Sequence, residues 1–163
     1  LSKFLFHGFN KRAFSLLELI LVLFLVGLMA GLTTPFLLST LERIKSQSSV
    51  RELATSLRYA RSLAITQKTP FAFNVNMDNN RYWLTDLETE EPRIVKELDP
   101  GIKVTRFSDK EETIIGGTFF IIFYPQGNSS GGSISIESKN PPGKSFFITL
   151  DSITGKPHVD QET

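Results

Sequence analysis

The sequence predicts an α+β protein: a long N-terminal transmembrane and stem helix packed on a small antiparallel β-sheet head of about seven or eight short strands. Three observations lead there. Residues 14–38 are almost wholly apolar. Apolar residues then recur at three- and four-residue steps up to about residue 64, as on one face of a helix. From Pro70 onward the period changes to two, the mark of half-buried strands.

The apolar run spans 25 residues, and its one ionisable side chain is Glu18. As a helix it reaches about 37 Å, against a hydrocarbon core of about 30 Å, so it is long enough to cross a bilayer. Lys3, Lys11 and Arg12 precede it without any acid, which places the short leader on the cytoplasmic side and the larger C-terminal part outside. An ordinary secretory signal has a shorter apolar core followed by a small-residue cleavage site, and neither is present. A buried core helix is disfavoured because residues 19–26 are apolar on every face. A plain anchor accounts for the length but not for Glu18. A carboxylate deep in a bilayer costs about 2.5–3.5 kcal/mol. Glu18 is therefore either an interfacial side chain reaching for water or one half of a charge pair.

Beyond the apolar run, Val50, Leu53, Leu57, Ala60 and Ala64 form one stripe, with Arg51, Glu52, Arg58 and Arg61 off it. The stripe is expected to pack on the head's sheet. Pro70 disfavours helical geometry at Thr69, so the helix should end near 66–68. Pro35 lacks an N–H and is expected to kink or locally melt the helix. Arg51, Arg58 and Arg61 share a flank that is read as a solvated face rather than a nucleic-acid surface. Strands are expected over 71–77, 81–87, 94–98, 102–107, 118–124, 133–137 and 145–150, with a last short one near His158-Val159. The 118–124 strand is apolar on both faces and should lie centrally. Residues 125–132 read as a flexible loop. The resulting organisation is a leader over 1–13, a membrane helix over 14–38, an amphipathic stem over 39–68 and a β-rich head over 69–163.

Catalytic chemistry finds little support in the residues. There is no cysteine, which excludes thiol catalysis and thiolate metal sites. The two histidines, His7 and His158, stand far apart in sequence. Glu90-Glu91 and Glu111-Glu112 read as solvated charge runs. Asp78-Asn79-Asn80 is too few ligands for calcium. Gly116-Gly117 lacks the Lys-Ser/Thr pair of a phosphate loop. No cofactor, metal, small-molecule substrate or nucleic acid is expected.

Ala13-Phe14-Ser15-Leu16-Leu17-Glu18, preceded by Lys11-Arg12 and followed by the apolar run, resembles the leader motif of type IV prepilins. The head resembles the minor pseudopilin H branch of the general (type II) secretion pathway and the FimT-type minor pilins. The carriers there are the run 58–65, Phe123-Tyr124-Pro125-Gln126-Gly127 and Asp151-Ser152-Ile153-Thr154-Gly155. The resemblance implies a prepilin peptidase that cuts between Ala13 and Phe14 and then methylates the Phe14 amine. It makes Phe14 the first mature residue, Glu18 the fifth and Pro35 the twenty-second, the places where that family has Phe, Glu and often Pro. The residue before the cut is normally Gly in the family, and here it is Ala13. A cut at Gly8-Phe9 would break the Glu18 spacing. The implied partners are the peptidase, other major and minor pseudopilins and inner-membrane lipid. The implied role is a structural subunit of the secretion pseudopilus, in the bacterial inner membrane with its head in the periplasm. The alternative is a minor type IV pilin acting in pilus assembly or DNA uptake. A DNA-capturing pilin is expected to end on basic residues, whereas Asp160-Gln161-Glu162-Thr163 carries none.

Overall fold

The computed structural model describes residues 15–139 and 143–161, with the side chains of 32–40, 42 and 43 outside the description. The chain divides into two compact units, Leu1–Leu38 and Ser39–Thr163. A single helix, α1, is assigned over Leu16–Gln67. Ser15 caps it: the Ser15 Oγ accepts the Glu18 backbone N–H at 3.1 Å. At the other end Lys68 turns into the left-handed region (φ 58°), and the chain enters the sheets at Pro70-Phe71.

In the second unit the described strands form two antiparallel sheets. One has the order β3-β2-β1-β6, from Pro92–Glu97, Arg81–Asp86, Phe71–Asn76 and Thr118–Phe123. The other has the order β5-β4-β7-β8-β9, from Thr113–Ile114, Ile102–Ser108, Gly132–Ser138, Ser145–Leu150 and Pro157–Gln161. The core-facing set alternates as period two demands: Phe71, Phe73 and Val75 on β1, Ile134 and Ile136 on β7, Phe146, Ile148 and Leu150 on β8. The helix stripe Val50, Leu53, Leu57, Ala60 and Ala64 is buried in this same cluster. Alanines at 60 and 64, joined by the buried Ala54, bring the helix axis close to the strands. Each fully buried Leu or Phe contributes about 1.5–3 kcal/mol of transfer free energy, so stripe and strands form one core. Phe107 of β4 stacks on Phe119 of β6 with ring centroids 4.3 Å apart, tying the two sheets together.

Three expectations need correction. The head is two sheets rather than one, and the described residues form nine strands. The extra one, β5, is only two residues long. Its turn is set by Asp109, whose carboxylate accepts the N–H groups of Glu111 and Glu112. Strand 118–124 is not central: β6 pairs with β1 on one side and ends the sheet. Phe119, Ile121 and Phe123 point into the core, while Phe120 is 59% exposed on the other face. An apolar run on both faces thus marked an edge strand with an uncovered outer face. Residues 125–132 are held by specific hydrogen bonds. Ser130 N–H donates to the Ile122 carbonyl at 2.9 Å, and Ile122 N–H donates to Ser130 Oγ at 3.1 Å. The buried Ser129 hydroxyl donates to the Asp151 carbonyl at 3.2 Å.

Candidate assembly site

Of the residues singled out for processing and assembly, Ala13 and Phe14 lie outside the described residues. Glu18 lies in the first turn of α1 and is exposed. With Ser15 three residues earlier it forms the S-x-x-E pattern of a capping box, and its carboxylate sits where the helix dipole favours negative charge. The apolar side chains around it are exposed on every face, from 77% at Leu16 to 45% at Val22. Such a helix stands uncovered only when something outside the chain covers it. Among the described residues no helix is long and apolar enough to cross a membrane. The expected span 14–38 extends beyond the described side chains at both ends. Pro35 falls inside the assigned helix, and its side chain is among those not described.

The head holds a junction that the sequence showed only as three separate motifs. Arg61, on the flank of the buried stripe, shares its single Nε–H between the Gly127 carbonyl at 2.9 Å and the Thr154 carbonyl at 2.8 Å. It thereby joins the helix to the loop after β6 and to the turn between β8 and β9. Gly127 (φ 86°) and Gly155 (φ 62°) both adopt left-handed backbone. A Cβ at Gly155 would lie 2.5 Å from the Gly127 carbonyl oxygen, so the two turns touch backbone to backbone. Reading Arg61 as part of a solvated flank was therefore mistaken. An arginine beside an alanine-rich stripe, together with glycines in two later turns, was the available signal.

Asp151 organises the same junction. Its carboxylate accepts the N–H of Thr154 at 2.7 Å and of Ile153 at 2.8 Å, which holds its pKa below the ordinary carboxylate value. Asp109 is lowered in the same way by the N–H groups of Glu112 and Glu111. Asp86 is lowered chiefly by the Glu88 N–H, with Arg93 at 3.3 Å adding to it. A carboxyl whose folded pKa is depressed contributes stability above its unfolded pKa of about 3.9 and loses it as pH falls through the folded value. The Asp109→Asn/Asp151→Asn variant is expected to be less stable than the parent near neutral pH. That gap should close as the pH falls below the unfolded value and through the lower folded one. Urea melts across that range check it.

Among the described residues no three His, Asp or Glu side chains are grouped to hold a metal. One groove of about 280 Å³ lies between α1 and the first sheet, lined by Tyr59, Phe73, Tyr82, Leu84 and Ile94. Tyr82 and Ser56 are hydrogen-bonded there at 3.1 Å, and the Lys96–Glu52 ion pair spans its rim at 3.1 Å. His158 is exposed on β9, opposite Thr149.

Comparison with known proteins gives this geometry a family. The fold is similar to that of the minor pseudopilin EpsH from the type 2 secretion system of Vibrio cholerae, with a TM-score of 0.55 and 15% identity over 71% of this chain and 95% of that one. It is also similar to the type IV minor pilin FimU of Pseudomonas aeruginosa, with a TM-score of 0.53 and 18% identity over 75% of this chain and 91% of that one. Identities this low speak to the fold alone. No curated protein sequence gives a significant match. The family model of type II transport protein GspH matches residues 49–154, a stretch that holds the helix stripe, both sheets up to β8 and Arg61 with its two carbonyl acceptors, Gly127 and Thr154. On that match over most of its length, the chain belongs to the GspH family of type II transport proteins.

Proposed function

We propose that the protein is a minor pseudopilin, a structural subunit of the type II secretion pseudopilus that supports export across the outer membrane. The observation that carries the reading is the GspH family match over the head, set beside an N-terminal helix whose described apolar side chains are exposed all round. In this account the leader is cut between Ala13 and Phe14 by a prepilin peptidase, which then methylates the Phe14 amine. The apolar helix rests in inner-membrane lipid with the head in the periplasm. It then moves into a bundle of equivalent helices from other pseudopilins, where the same surface is covered by packing instead of lipid. Glu18 pairs there with the terminal amine of a neighbour, and Pro35 lets the stem bend. The chain acts as a structural part rather than an enzyme. The likeness to FimU supports one alternative, a minor pilin of a type IV pilus.

Processing separates both readings from that of a plain membrane anchor. Mass spectrometry of protein purified from cells with an active prepilin peptidase is expected to show a methylated Phe14 as the first residue. Ala13→Gly should be cut at least as fast, and Ala13→Leu should be blocked. Persistence of the intact leader in those cells would refute the proposal.

A further inference from the structure

We propose that the groove between α1 and β9 takes up an extended acidic segment of another polypeptide, which adds as a strand to the free edge of β9. This goes beyond the subunit reading. It concerns the second unit alone and does not depend on leader processing.

Two independent features point to such an occupant. The first is the edge itself. Among the described residues β9 ends its sheet and is hydrogen-bonded on one side only, to β8. Every other residue of β9 therefore directs its N–H and C=O outward, a ready template for a further strand. Beside it lies a groove of about 570 Å³ that all five β9 residues line. The register shows how the groove is floored. Phe146 stands opposite Gln161 and Ile148 opposite Val159. Phe146 and Ile148 are buried on the core side, so Val159 and Gln161 share that face. Val159 is nonetheless 38% exposed, so the core-side surface is left open at this edge. At one end Gln47 Nε2 donates to Gln161 Oε1 at 3.3 Å and closes the groove.

The second feature is charge. The helix wall carries Arg51 and Arg58, both exposed, with the small Thr55 between them. Seven residues apart, they lie two turns along the same side of α1, about 10 Å from one another. Neither forms an ion pair among the described residues, whereas Lys45, Arg81, Arg93 and Lys96 each do. A strand laid on β9 repeats its side-chain direction every second residue, about 7 Å. Acidic residues two or four positions apart then share the face of Val159 and Gln161 and fall within reach of the two long guanidinium arms, while the residues between them point to the opposite face. His158 and Asp160 alternate to the other face of β9 and stand at the rim, away from the helix wall. The site thus selects for one extended chain with acidic residues at alternate positions. Duplex nucleic acid asks instead for a broad field of basic groups.

The test uses the full chain in detergent micelles. The probe is a short, capped, fluorescent peptide of alternating glutamate and valine, read by anisotropy at low salt. Saturable binding is expected. It should weaken about tenfold when glutamine replaces glutamate in the peptide, or in the Arg51→Gln/Arg58→Gln variant. Amide hydrogen exchange at alternate positions of 158–161 should slow when the peptide binds. Absent binding, equal binding of the glutamine peptide, indifference to the two arginines, or unchanged exchange along β9 would each overturn the proposal. So would tighter arginine-dependent binding of a single-stranded oligonucleotide, or occupation of the groove by a second copy of this chain, seen as arginine-dependent self-association.

Discussion

The Gly155→Ala variant should lose about 3 kcal/mol of stability, a fall in melting temperature of roughly 10 °C for a domain of this size. Two costs add. Left-handed backbone at φ 62° is strained for any residue with a Cβ, and this Cβ would press on the Gly127 carbonyl oxygen 2.5 Å away. That oxygen is fixed because Arg61 donates to it. Arg61→Met keeps the aliphatic stem but removes the donor, leaving the Gly127 and Thr154 carbonyls to find water. It should cost about 1–3 kcal/mol. The double variant should lose less than the sum, because both changes act on the same carbonyl. Circular-dichroism melts of the three variants check this. A Gly155→Ala melt that coincides with the parent would mean that the two turns are free to separate.

The second large effect is expected at the other end of the molecule. Glu18→Gln should leave insertion and cleavage intact but lower incorporation into the pseudopilus by about a hundredfold. On the proposed pairing, a neutral amide would leave the neighbour's terminal ammonium buried without a counter-charge, a cost of about 3 kcal/mol. The competing explanation is local. Glu18 follows the Ser15 cap and supports the start of its own helix. Ser15→Ala separates the two, since losing the cap costs about 1 kcal/mol of helix stability without touching the carboxylate. Crosslinking to partner pseudopilins should fall for Glu18→Gln and persist for Ser15→Ala. Equal behaviour of the two variants would assign Glu18 to helix capping.

These two sites differ in how far the sequence revealed them. Glu18, whose assembly role is the proposal made above, stands out because one carboxylate in an apolar run is conspicuous and its spacing from Phe14 can be counted. Arg61 was hidden, because a charged residue on an amphipathic helix is ordinary until its acceptors are known. Those acceptors lie 66 and 93 residues further along the chain. The strands show the same division. Period-two patterning located β1, β2, β4, β7 and β8 to within a residue or so, since alternation is a local property. It could not order them, because alternation gives the face of each side chain and not the neighbouring strand. Phe119 to Phe123 illustrates the ambiguity: an apolar pentad is equally consistent with a central strand and with an edge whose outer face, at Phe120, is bare. The division into two sheets was invisible for the same reason. β3 and β4 are consecutive in sequence yet belong to different sheets.

The central claim, a subunit of a secretion pseudopilus, is tested most directly by deleting the gene in its own host and measuring two outputs side by side. These are the release of type II exoproteins into the medium and the display of type IV pili on the surface. The account predicts that exoproteins accumulate in the periplasm while piliation is unchanged, and that the parent chain restores release whereas Glu18→Gln does not. Normal release together with lost piliation would contradict it.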